Sequence, residues 1–151
     1  MFRNRRTSLT GVEQYAATVE QILLSIGIDP QQARMTTQEG FGWHFRRGSA
    51  IIEIYISQQD STGYLQVLAP ILHLPNTGLL PLYRRLLELN VQLTNAAFGV
   101  HYDVVYLFSE RPLEGLDPVE ANAIINLVAA YADDLDDKLA AEFGGRLYQR
   151  I

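Results

Sequence analysis

The chain has no cysteine, which rules out disulfide bridges and thiolate metal sites and leaves a reducing compartment open. No uninterrupted apolar run approaches about 18 residues, so no transmembrane helix and no membrane partner are expected. Positive charge is scarce. Twelve basic residues face 17 acidic ones, a formal net charge of −5, whereas nucleic-acid binders need a surface that neutralises phosphates. Lysine is almost missing as well: Lys138 is the only one, so basic contacts would use the planar, fixed hydrogen bonding of arginine. The sequence also lacks a His-Glu-x-x-His helix, a serine elbow and an EF-hand loop, which leaves no motif for metal, cofactor or catalysis.

What is present is an ordinary soluble composition, 151 residues with 48% hydrophobic and 19% charged. That composition excludes wholesale disorder and allows one domain with a real core. Met1-Phe2-Arg3-Asn4-Arg5-Arg6 starts like a basic signal region, but no apolar stretch follows it, and a cytoplasmic location is expected. Charge drifts along the chain. Residues 1–50 hold six Arg against four acids, and residues 116–151 hold three basic residues against seven acids. Residues 1–9 are expected to form a flexible basic arm, and 10–151 a single domain.

Thr10-Gly11-Val12-Glu13 has capping-box spacing, and Val12, Tyr15, Ala16, Val19, Leu23 and Ile26 follow helical period as far as Gly27. A first helix over about 11–26 is predicted. Phe41, Trp43 and Phe45 alternate with smaller or polar residues, and Ala50, Ile52, Ile54 and Ile56 do the same; Tyr64 to Leu72 completes a three-stranded meander. Pro70 cannot donate to a ladder, so this third strand should lie at an edge or carry a bulge there.

A leucine-rich helix follows Pro75-Asn76-Thr77-Gly78. Leu79, Leu82, Leu86, Leu89 and Leu93 form one stripe, and Leu80, Tyr83 and Leu87 an adjacent one. A surface helix of a small domain needs about one apolar stripe; two imply a second packing partner, most simply another copy of the chain. Phe98, Val100 and Tyr102 read as a fourth strand and Val104 to Ser109 as a fifth, joined at a tight Tyr102-Asp103 junction that lacks an Asn-Gly or Asp-Gly signal. Leu116-Asp117-Pro118-Val119-Glu120 opens a final helix with Asp at N-cap, Pro at N1 and Glu at N3, and Gly144-Gly145 stops it. The order α-βββ-α-ββ-α predicts a two-layer α+β domain with an antiparallel sheet.

At Leu86-Leu87-Glu88-Leu89-Asn90, Ala97-Phe98-Gly99-Val100 and Leu113 to Glu120 the chain resembles the YbjN-domain family, which shares the fold of CesT/Tir-type type III secretion chaperones. The resemblance covers roughly residues 10–145 and does not include the arginine-bearing arm. It implies a non-enzymatic homodimer with the leucine helix in or near the interface, and apolar patches that hold a partner chain.

Asp133, Asp134, Asp136 and Asp137 are the densest charge cluster, and a solvated acidic face is expected there rather than a cation site. His44 should point away from the face that Trp43 and Phe45 bury. Arg84 and Arg85 sit on the polar side of the leucine helix, with Glu88 as an i,i+4 partner. The sheet's outer face carries Ile51, Tyr55, Tyr64, Leu68, Val104, Tyr106 and Phe108, more apolar surface than a solvated face needs, unless the leucine helix covers it. The expectation is a non-enzymatic protein-binding module without cofactors. It should dimerise through Leu82, Leu86, Leu89 and Leu93 and bury an unknown partner's extended or amphipathic segment on Ile51, Tyr55, Leu68, Tyr106 and Phe108, helped by edge-strand hydrogen bonds. The alternatives are a regulatory module binding nucleic acid or an anion through the arm or Arg84 and Arg85, and a small-ligand domain built around Trp43 and His44.

Overall fold

Among the described residues one antiparallel sheet holds seven strands, six of them in the order Arg34–Met35, Phe41–Arg47, Ala50–Gln59, Thr62–His73, Val104–Pro112 and Ala97–His101, with Arg146–Leu147 paired to Thr62–His73. The computed structural model describes residues 4–59 and 61–149, the side chains of residues 4–11 and 59 aside. Along the chain the elements are α1 (Asn4–Ser25), α2 (Pro30–Ala33), β1 (Arg34–Met35), β2 (Phe41–Arg47), β3 (Ala50–Gln59), β4 (Thr62–His73), α3 (Leu79–Gln92), β5 (Ala97–His101), β6 (Val104–Pro112), α4 (Pro118–Phe143) and β7 (Arg146–Leu147). The predicted α-βββ-α-ββ-α order is present. It gains three short elements, α2, β1 and β7, each too brief to leave a periodic signal.

Helix α1 begins at Asn4, not at Gly11. No Gly or Pro interrupts residues 4–10, so the helix runs through Thr10, and the capping-box start is corrected. Residues 1–3, the beginning of the expected flexible arm, lie outside the described residues. The α4 start is as the sequence indicates: the Asp117 carboxylate accepts from the Glu120 N–H at 2.8 Å, with Pro118 behind it. The stop also holds, with Gly144 in the left-handed region at φ 73°.

Alternation divides the sheet into two faces. Trp43, Ile52, Ile54, Ile56, Leu65, Val67, Ala69 and Leu107 point into one core with Leu23 of α1, Leu82 of α3 and Ile125, Val128 and Ala132 of α4. Helix α4 lies across β3, β4 and β6, α1 packs beside α4, and α3 docks on β5. All three long helices therefore cover the same face, and α3 leaves the outer face open. Buried Trp43 donates its indole N–H to Glu20 at 3.4 Å, and Glu20 also pairs with Arg34 at 3.0 Å. The Arg34 guanidinium lies over Phe41 and Trp43, 4.7 and 5.5 Å from the ring centroids, so one cation ties α1 to the sheet edge.

Strand β4 is central, and Pro70 is accommodated by a bulge: the β4–β6 register shifts between Pro70 and Leu72. Strand β3 pairs with β4 only from Glu53 onward. Beyond that point β7 takes the vacated side of β4, pairing Leu147 with Leu72 and Arg146 with His73. Gly145 permits this return, because a Cβ there would lie 2.6 Å from a Leu72 methyl and 3.0 Å from the His73 carbonyl oxygen.

Candidate functional site

The outer face of the sheet is concave over β3, β4, β6 and β5. In register, Glu53 faces Leu68, Leu68 faces Phe108, and Phe108 faces Ala97; one rung over, Pro70 faces Tyr106 and Tyr106 faces Gly99. Large rings on β6 thus stand beside small residues on β5, which leaves a groove of about 500 Å3 lined by Glu53, Tyr55, Gln66, Leu68, Gly99, Val100, His101, Tyr106 and Phe108. Gly99 keeps the floor low here, since a Cβ there would make a tight contact of 3.3 Å with the Phe108 ring. Groups at the groove are hydrogen-bonded: the Tyr55 hydroxyl donates to Glu53 at 2.9 Å, and Gln66 donates to Glu110 at 2.8 Å. Burial raises the pKa of the Tyr106 phenol, and the charges of Tyr148 and Glu53 raise it further.

Of the five residues expected to meet a partner, Tyr55, Leu68, Tyr106 and Phe108 share this groove. Ile51 does not. It is buried and borders a different depression of about 640 Å3, beside Ile28, Asp29, His44 and Arg46. The reason is the parting of β3 from β4 at Glu53, which places Ile51 beyond the shared part of the sheet. Sequence reasoning missed Glu53, Gln66, Gly99, Val100 and His101. Gly99 carried the available signal, a glycine alternating outward from buried Phe98. His101 stacks edge-on to Tyr102 at 4.3 Å and to Tyr106 at 6.5 Å, forming the groove's end at the β5–β6 hairpin. On the other side Glu53 and Tyr55 also border a depression with His73, Arg146, Leu147, Tyr148 and Gln149. There the Tyr148 ring stacks on His73 at 5.5 Å.

The four leucines expected at a dimer contact on α3, Leu82, Leu86, Leu89 and Leu93, all pack against the chain's own core. Leu82, Leu86 and Leu89 are 0%, 4% and 6% exposed, and Leu93 packs against the same core. This stripe is used on the chain's own sheet, so it has little surface left for a second copy. Of the adjacent stripe, Leu80 and Leu87 are 81% and 66% exposed while Tyr83 packs against the core, and Val91 beside them is 86% exposed. Asn90 fixes the helix in this orientation. Its carboxamide accepts from the Phe98 N–H at 2.7 Å and donates to the Phe98 carbonyl at 3.3 Å, occupying the outer edge of β5 at that residue.

The other candidates are placed as follows. The acidic cluster is not simply solvated: Asp133 accepts from the Ser49 N–H at 3.3 Å, and Asp136 from the Ser49 hydroxyl at 2.7 Å. The β2–β3 turn is docked on α4 in this way. No group of three or more potential metal ligands occurs among the described residues. Arg84 pairs with Glu88 at 2.9 Å, as its spacing suggests. Trp43 is buried while His44 borders the 640 Å3 depression on the other side of the strand, so the two do not form one ligand site. Among the described residues no helix is long and apolar enough to cross a membrane.

The family model that matches this chain is TY-Chap1, described as T3SS (YopN, CesT) and YbjN peptide-binding chaperone 1, over residues 14–151. The family resemblance read at Leu86–Asn90, Ala97–Val100 and Leu113–Glu120 is therefore sound. No curated protein matches the sequence. Among solved structures, the chain is similar in fold to one in the crystal structure of the ExsC–ExsE complex. The TM-score is 0.61 at 13% identity, covering 85% of this chain and 95% of the other. It is also similar to one in the HopA1–SchA chaperone–effector complex, with TM-score 0.57 at 10% identity, covering 82% and 93%.

Proposed function

This chain belongs to the TY-Chap1 family of peptide-binding chaperones, and we propose that it holds an extended segment of a partner protein in the groove on the outer face of its sheet. The observation that carries this reading is the groove itself, where Tyr55, Leu68, Tyr106 and Phe108 converge on a face that no helix covers. An extended segment laid there would insert alternate side chains between the β6 rings and the low floor at Gly99. That is the geometry by which apolar pockets read every second residue.

The proposal includes self-association through the exposed α3 stripe of Leu80, Leu87 and Val91. Three large apolar side chains on about one helix face form the kind of surface that a second copy can bury. The fold neighbours support the general reading, since one of them is a chaperone bound to its effector. Panning a random peptide library against the purified chain tests it. Selected peptides should bind the parent and lose at least tenfold with Phe108→Glu, about 1.4 kcal/mol; equal binding to both would remove the groove from the reading.

A further inference from the structure

We propose that residues 146–149 form a strap that gates the groove. Docked on β4, the strap bounds the groove on its β3 side; released about Gly144 and Gly145, it lets a longer partner segment enter. This inference rests on the groove being a peptide site and adds how entry to that site is controlled.

The strap lies where two depressions meet. Glu53 and Tyr55 line the groove and also a depression of about 650 Å3 that His73, Arg146, Leu147 and Tyr148 line. A segment crossing the sheet from Gly99 past Tyr106 to Glu53 therefore runs into the strap. The Tyr148 ring, stacked on His73 at 5.5 Å, is close enough to act on the groove: burial raises the Tyr106 pKa most, and the charge of Tyr148 is the next cause. From β5 to β3 the groove crosses three strand spacings, about 14 Å, the length of about four or five extended residues. A longer segment needs the space that the strap fills.

The strap is also held lightly. None of residues 144–149 is buried. Leu147 pairs with Leu72 and Arg146 with His73, and the Tyr148 N–H donates to the Ile71 carbonyl at 3.0 Å. Short pairings whose side chains are exposed open locally without global unfolding. The chain enters the strap through two glycines, and Gly144 has φ 73°, a conformation that a side chain would oppose. Gly145 sets how closely the strap approaches β4. A Cβ there would lie 2.6 Å from a methyl of fully buried Leu72 and 3.0 Å from the His73 carbonyl oxygen. Gly145→Ala therefore pushes the strap off β4 while leaving every residue that lines the groove in place.

The test uses the full chain and two fluorescent peptides in which leucine alternates with glutamine, a pentapeptide and a nonapeptide, neither of which trypsin cuts. By anisotropy, Gly145→Ala should tighten the nonapeptide about tenfold, because overpacking raises the open fraction, and should leave the pentapeptide unchanged. Brief trypsin treatment of the native protein, read by mass spectrometry, reports strap opening as cleavage after Arg146. That rate should rise about tenfold in Gly145→Ala, and should rise in the parent when the nonapeptide is added, since binding and opening are linked. A second variant holds the docked state. His73→Cys with Arg146→Cys places a cross-strand pair at a Cα spacing of about 5.5 Å, suited to a disulfide, in a chain with no other cysteine. Oxidation should weaken the nonapeptide at least tenfold, and reduction should restore it. Equal nonapeptide affinity in the oxidised and reduced forms would overturn the gate and leave the peptide-site reading standing. An equal response of the two peptides to Gly145→Ala would overturn it as well. Binding of neither peptide to the parent, to Gly145→Ala or to the reduced double variant would overturn both readings.

Discussion

Asp136 is 2% exposed on α4, with one oxygen accepting from the Ser49 hydroxyl and the other from the Asp137 N–H. Burial raises its pKa, and the neighbouring charges of Asp137 and Asp133 add to the rise; the hydrogen bonds from Ser49 and Asp137 oppose it. The folded state therefore holds this proton to higher pH than the unfolded chain does. Stability from the protonated carboxyl is complete below the unfolded value, about 3.9, and is lost as pH rises through the raised folded value. Asp136→Asn keeps the shape and removes the titration. Its stability relative to the parent should improve as pH rises from about 3 to 7, an interval that brackets the unfolded value; urea melts across that range check this, and a constant gap would contradict it. Nearby, Gly48 has φ 58°, and a Cβ there would lie 2.0 Å from the Asp133 Oδ1. Gly48→Ala should cost about 2 kcal/mol in the same melts, from overpacking. The sequence showed this acidic cluster but not its role, because only the fold brings Ser49 to a helix 84 residues away.

Among the elements, α3 shows both what periodicity reveals and what it leaves undecided. Its two leucine stripes were legible, but which of them faces the core was not, since both have helical spacing. Asn90 and the β5 edge decide it. Leu86→Ala should therefore destabilise the chain by about 2–5 kcal/mol. The pair Leu87→Glu and Val91→Glu should leave the chain folded while shifting light scattering from dimer to monomer. A monomeric parent, or a double variant that stays dimeric, would remove this stripe from the interface. The β5–β6 turn is the second instructive element. Tyr102 and Asp103 both have positive φ, 46° and 60°, the twist of a type I′ hairpin made without the Asn-Gly pair that favours it. Replacing Tyr102-Asp103 with Asn-Gly should raise stability by about 1 kcal/mol. The missing turn signal was visible in the sequence; the cost of that departure is visible only in the backbone angles.

For the whole molecule, the sequence carried the layer order and the family, because alternating strands and capped helices are local features. It did not carry the groove's outline. That depends on β3 leaving β4 at Glu53, on the Pro70 bulge and on β7 filling the gap, all of which are relations between distant segments. Ile51 lies outside the groove for this reason, whereas Tyr55, Leu68, Tyr106 and Phe108 share it. With α1, α3 and α4 all on one face, the long helices leave the sheet's other face uncovered, and the groove lies on it. The most direct test is photo-crosslinking in cells, with a photoreactive phenylalanine analogue at Phe108 in the groove or at Val119, an exposed apolar position on α4. The account predicts that the Phe108 probe captures a discrete protein species and that the Val119 probe does not; capture at Val119 with none at Phe108 would contradict it.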